Sequence, residues 1–132
     1  MGNEIIIGAG TQARSHGVKM KVIALVSDLM FSSRITGEAK SAGAAVQILR
    51  KPEQLEAAEG DLLLADLNVP GAALGAAKWA SATGRRVVGF VSHMDSAAIA
   101  TAREAGVQEI MARSRFVQVL PELLRAGSGT KG

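Results

Sequence analysis

Four side chains with chemical potential lie at the ends of short apolar runs. Asp28 follows KVIALV (21–26), Asp66 closes DLLLAD (61–66), Ser92 follows RVVGFV (86–91) and Arg113 follows VQEIMA (107–112). Two carboxylates brought into one crevice repel, so such a pair needs a cation or a raised pKa. A hard cation such as Mg2+, held by one or two carboxylates and water, is the natural partner. Ser92 and Arg113 would add a hydroxyl and a cation around the same spot. His93 follows Ser92 in the same loop. A general base needs a reactant within hydrogen-bond reach, and the chain offers no nucleophile, base and orienting group around His93. A solvated loop histidine is the expected role.

These residues meet only if the runs are strands pointing the same way, and the pattern along the chain supports that. From Lys21 onward, β-branched runs alternate with Ala-rich amphipathic segments; AAVQIL (44–49) is the remaining run. Five strand-then-helix units predict a parallel sheet with helices on both faces. Runs one and three are almost continuously apolar, as strands covered on both faces are. Right-handed crossovers leave few topologies, and the doubly wound, flavodoxin-like order 2-1-3-4-5 is the usual five-strand solution. In that order strands one and three diverge at a switch point, and ligands bind at their carboxyl ends. Asp28 and Asp66 fall there.

The punctuation between the runs agrees. Pro52 stands at a first helical position, and Gly43, Gly60, Gly84, Gly106 and Gly127 stand where helices should end. Asp95 is a natural N-cap for the helix after strand four. Pro121, inside FVQVLPELLRAG, predicts a late helix start or a kink. Trp79 lies on an Ala-rich helix and reads as packing or a small surface patch. Arg85 and Arg86 precede strand four in a solvated turn. Alternation along strand five would send Arg113 and Arg115 to one side.

Composition bounds the function. The chain has 132 residues, 48% hydrophobic and 20% charged, which fits one domain with a substantial core. Aromatic residues are 3%, so the core must be mostly aliphatic. There is no cysteine, and therefore no disulfide, thiolate metal site or cysteine nucleophile. The net charge is +3, but residues 20–126 are close to balance, which gives no nucleic-acid footprint. No apolar run approaches the ~20 residues that cross a membrane, and the first residues lack the features of a secretory signal. The expected location is the cytoplasm.

The N-terminal IIIGAGTQA (residues 5–13) has the form of an apolar strand followed by G-x-G-x-x-A, with Asp28 beyond it. A dinucleotide site needs a helix whose N-terminus holds the pyrophosphate. The segment that follows has a Gly in its middle and almost no apolar face, so a helix there could not pack on a sheet. An extra strand or ordered arm is the better expectation.

Beyond these local readings, the chain from about Met20 to Gly127 resembles the receiver domain of two-component response regulators. VSDLMFSSRI is similar to the acidic first loop of that family, and LLLADLNVPG to its phosphoacceptor segment. AGVQEIMARSRF is similar to its last strand. The resemblance implies a CheY-like fold with Asp66 as phosphoacceptor equivalent. It also implies Ser92 and Arg113 on the phosphoryl oxygens, and Mg2+ held by Asp28, Asp66 and the carbonyl of Asn68. Four positions depart from the family pattern. Ser27 replaces a second acid, Arg113 a lysine, Ser114 a proline and Ile110 an aromatic residue. Arginine's planar fork clamps carboxylates bidentately, so an Arg113–Asp66 pair is expected to fill the phosphoryl and metal space.

The expected organisation is an N-terminal extension (1–19), a receiver-like domain (20–127) and a flexible tail (128–132), with no output domain. The expected function is a divergent receiver-like signalling or protein-interaction module that works without phosphorylation. It would not be an enzyme, and its partner would be a histidine kinase or a downstream signalling protein. One alternative is an active single-domain response regulator phosphorylated on Asp66. The other is a small enzyme or anion-binding protein using the Asp28/Asp66/Arg113 crevice, with His93 beside it.

Overall fold

A computed structural model describes residues 20–92 and 96–129, with side chains through Arg125. The expectations for residues 1–19 and 130–132, and for His93 and Asp95, lie outside the described residues. Five strands form one parallel sheet: β1 (Lys21–Leu25), β2 (Ala45–Leu49), β3 (Leu62–Asp66), β4 (Arg86–Val91) and β5 (Glu109–Ala112). Their order is β2-β1-β3-β4-β5, the doubly wound order expected from the alternation of runs.

Alternation along each strand divides the core between the two faces of the sheet. Val22 and Ala24 of β1, Leu62 and Leu64 of β3, and Val88 and Phe90 of β4 point to one face. Helices α1 (Leu29–Ala42) and α4 (Arg113–Gly129) cover that face with Phe31, Ile35, Phe116, Leu120 and Leu124. Ile23, Leu25, Leu63, Ala65, Val87 and Val91 point to the other, under α2 (Ala72–Thr83), α3 (Ser96–Ala105) and a 3-10 turn, η1 (Pro52–Ala57). Every residue of β3 is buried, which is why its sequence is nearly unbroken leucine.

The helix termini follow local chemistry. Asp28 takes extended backbone angles, and its side chain accepts from the Met30 and Phe31 amides, closing the N-terminus of α1. Gly43 and Gly84 end α1 and α2 at positive φ, 78° and 70°, where a Cβ would be strained. Two expected helix-ending glycines do other work. Gly60 is not among the glycines at positive φ; a Cβ there would lie 2.9 Å from Ile23 Cγ1, so close approach to β1 requires it. Gly127 lies inside α4, which runs on to Gly129.

Three further expectations change. The segment after β2 forms the short η1 rather than an α-helix, because it offers a single buried anchor, Leu55. Gln54 turns back to accept from the Arg50 and Lys51 amides, each at 2.9 Å. β5 ends at Ala112, so Arg113 is the first residue of α4 and not the last of the strand. There is no late start at Pro121; the helix passes through it. Arg113 and Arg115 are then about 200° apart around a helix. Arg115 turns to Gln118, away from the partners of Arg113.

Arg85 and Arg86 are also more engaged than a solvated turn implies. Arg85 pairs with Asp61 at 3.6 Å, and Arg86 makes a two-pronged bond to Glu109 on β5, both contacts 2.8 Å. The bond from Arg86 holds the Glu109 carboxyl below its ordinary pKa. Both side chains are well exposed, so Glu109→Gln should cost only ~0.2–1 kcal/mol in denaturant unfolding. A depressed folded pKa means that this contribution exists at neutral pH and is lost as pH falls through the folded value.

Candidate functional site

The carboxyl ends of β1, β3 and β4 and the start of α4 open on one crevice, and each delivers one of the expected residues. Asp66, the last residue of β3, is 6% exposed. It shares the face of Leu62 and Leu64 and is in register with Phe90 of β4. The chain then turns sharply: the Asn68 amide donates to Asp66 Oδ1 at 3.0 Å and the Val69 amide to the Asp66 carbonyl at 3.1 Å. Such an aspartate-centred turn is what the sequence DLNVPG favours. Burial pushes the Asp66 carboxyl above its ordinary pKa, against the lowering effects of the Asn68 amide and Arg113. The apolar strand ends in an acid because that acid starts the turn out of the core.

Asn68 ties this turn to the end of β4, because its Oδ1 accepts from the Ser92 amide at 2.7 Å. The Leu67 amide donates to the Phe90 carbonyl at 2.9 Å. Beneath the turn, a Cβ on Gly89 would lie 2.7 Å from Leu67 Cδ1. The glycine inside β4 thus makes room for the side chain that anchors the Asp66 loop. A glycine in a strand interior is the signal for such an approach, and the sequence reading passed over it.

Arg113 closes the crevice. Its Nη2 donates to Asp28 Oδ2 at 3.1 Å and its Nη1 to Ser92 Oγ at 3.4 Å. Its guanidinium carbon lies 3.7 Å from the centre of the Phe31 ring, a cation–π contact. The expected Arg113–Asp66 ion pair is replaced by Arg113–Asp28, because Arg113 leaves from the first turn of a helix that packs beside α1. The Phe31 amide bond and the Arg113 bond, with a smaller part from Met30, lower the Asp28 pKa. Phe31 was not among the expected site residues. It belongs to a trio with Phe90 (centroids 5.3 Å apart) and Phe116 (5.9 Å), and Phe90 stacks on Phe116 at 4.3 Å. The chain has three phenylalanines, so all of its phenylalanine is spent on a platform beneath Arg113.

The structure therefore brings Asp28, Asn68, Ser92 and Arg113 into one hydrogen-bonded set, with Asp66 joined through Asn68. Another expected departure, Ile110, is half-buried on β5 and packs toward the α2–α3 face. As a cation site the donor set is thin. Among the described residues no three His, Cys, Asp or Glu side chains cluster to hold a metal. Asp28 Oδ1 serves two backbone amides and Oδ2 serves Arg113. The residues as arranged do not fit a divalent cation while Arg113 holds Asp28. Among the described residues no helix is long and apolar enough to cross a membrane.

No protein-family model matches this chain, and no curated protein matches it by sequence. Solved structures do match it in fold. A response regulator from Thermotoga maritima superposes with a TM-score of 0.68 at 12% identity, covering 86% of this chain and 100% of that one. A CheY-like response regulator receiver domain protein from Methanospirillum hungatei JF-1 gives 0.67 at 13% identity over 81% and 94% of the two chains. A response regulator from Burkholderia pseudomallei gives 0.66 at 14% identity over 83% and 69%. The last was crystallised with a phosphorylated aspartic acid, a calcium ion and citrate. The fold is thus the CheY-like receiver fold. The particular chain is a divergent example of that fold, alike in architecture and far apart in sequence.

Proposed function

We propose that this protein is a receiver-like interaction module in which Arg113 takes the place of the cation and holds the crevice in one state. The observation that carries this reading is the pair of hydrogen bonds that Arg113 donates, one to Asp28 and one to Ser92, over the Phe31 ring. A guanidinium is always charged and presents a fixed fork of donors. It neutralises Asp28 and ties the ends of β1 and β4 to α4 without a metal or a phosphoryl group. Asp66 lies buried beside that pair, with its turn closed by the Asn68 amide. Under this reading the domain presents one constant surface to a protein partner of a signalling pathway. The non-enzymatic assignment rests on the receiver and response-regulator character of the fold's matches.

The active alternative assigns Asp66 as phosphoacceptor, Ser92 and Arg113 as phosphoryl contacts, and Asp28, Asp66 and the Asn68 carbonyl as ligands of Mg2+. It requires Arg113 to leave Asp28. Intact mass after incubation with Mg2+ and acetyl phosphate separates the two. The expected result is no labile phosphate adduct on the parent, and no Mg2+-dependent amide shifts at Met30, Phe31 and Asn68. An adduct that disappears in Asp66→Asn would establish phosphorylation and remove the locked reading. Arg113→Ala should make those amides respond to Mg2+, because Asp28 Oδ2 is then free. The small-ligand alternative gains no support, since the guanidinium it would need is already paired with Asp28.

A further inference from the structure

The short η1 leaves part of α2 uncovered. Between them runs a groove of about 530 Å³, bounded at one end by Pro52 and Gly71 and at the other by Ala58 and Thr83. Its walls include Leu55, Leu74 and Trp79, and Leu74 is 61% exposed, a large apolar side chain left in water. Gly75 lines the groove where the two helices touch; a Cβ there would be 3.1 Å from Pro52 Cβ. The Trp79 indole N–H donates to the Ala58 carbonyl at 3.1 Å, which fixes the lower wall. Glu53 and Glu56 stand on one lip and Lys78 on the other.

We propose that the chain's own N-terminal segment, centred on Ile5, Ile6 and Ile7, fills this groove. Three observations select that occupant. The first is where the described chain begins. Lys21 lines a second depression with Gly60 and Asp61, and that depression shares Ala58 and Thr83 with the end of the groove. The described chain therefore begins beside the groove. The second is reach. The span from Gly8 to Met20 covers up to about 40 Å when extended, whereas α2 has 12 residues and is about 18 Å long. The third is complementarity. Ile5–Ile7 is the apolar run within residues 1–19, matching Leu55, Leu74 and Trp79. Charge matches as well: Arg14 and Lys19 of the segment are opposite in sign to Glu56 and Glu59, and Glu4, next to the triplet in sequence, is opposite in sign to Lys78. The extension thus completes the cover that a full helix after β2 would have supplied.

The chain has no cysteine, so a nitroxide can be attached to the full chain at Asn3→Cys alone. The expected result is loss of NMR peak height at the Leu55 and Leu74 methyls and the Trp79 indole, unchanged on dilution. Ile6→Asp should restore those peaks and leave the rest of the spectrum unchanged. Leu74→Glu, at an exposed position, should restore the Leu55 and Trp79 peaks with the rest of the spectrum intact. Unattenuated peaks at these residues would overturn the proposal. So would attenuation seen on isotope-labelled chains mixed with separate spin-labelled chains, which would assign the groove to a second copy.

Discussion

Phe90→Ala should cost about 3–5 kcal/mol of folding stability, the range for truncating a buried phenylalanine to alanine. Phe90 is fully buried and is one corner of a triangle of rings, stacked on Phe116 and edge-on to Phe31. Its removal leaves a void bounded by two rings, an aliphatic sheet face and Arg113's platform, and close-packed surroundings close such a void only in part. Domains of this kind have ~5–15 kcal/mol in total, so the variant should be near its unfolding threshold at 37 °C. Urea denaturation measures the loss directly. The effect should also reach the site, because Phe90 is in register with Asp66 and its carbonyl receives the Leu67 amide. The Phe31 ring, left without its edge-on neighbour, should no longer hold Arg113, and the Asp28-capped amides of Met30 and Phe31 should shift. A loss below about 1 kcal/mol, the centre of the distribution for single substitutions, would mean that the three rings are not a close-packed unit.

Asp66→Asn should stabilise the protein at neutral pH, by roughly 0.5–2 kcal/mol as single stabilising substitutions do, and the gain should disappear in acid. Burial raises the folded pKa of Asp66 above its ordinary value. Above that folded pKa the native state must carry a buried carboxylate that the unfolded chain would carry in water, so ionised Asp66 opposes folding. As pH falls through the raised value the native state takes up a proton first and the penalty lifts. Below about 3.9, the ordinary aspartate value, both states are protonated and Asp66 makes no difference. Asparagine keeps an oxygen to accept from the Asn68 amide, so the turn survives the change. Thermal unfolding of both proteins from pH 7 to pH 3 should show the two melting temperatures converging. A gap that stays constant, or a destabilised variant at pH 7, would contradict the assignment.

The sequence alone was enough for the sheet, and for Asp28, Asp66, Ser92 and Arg113 coming to the same end of it. Runs buried on both faces have to be apolar throughout, and β3 is leucine, alanine and one terminal acid because nothing polar fits until the strand reaches the crevice. Local rules also fixed the turns at Gly43 and Gly84, since each depends on hydrogen bonds and dihedrals within a few residues. The order β2-β1-β3-β4-β5 followed from the alternation of elements and the handedness of their crossovers.

Only the tertiary structure decided what those residues do to one another. Whether Arg113 ends a strand or begins a helix depends on where α4 docks against α1. That single difference turns its guanidinium to Asp28 instead of Asp66 and parts it from Arg115. The pairing of residues 28 and 113 spans most of the domain, and no periodicity encodes it. Gly60 and Gly89 are alike in this respect. Each looked like punctuation or went unremarked in the chain, and each is a contact with a side chain brought from elsewhere, Ile23 in one case and Leu67 in the other. The three phenylalanines gave no sign of meeting until the sheet face gathered them. Long-range packing, which carries no local signature, is what made a platform of them and set Arg113 upon it.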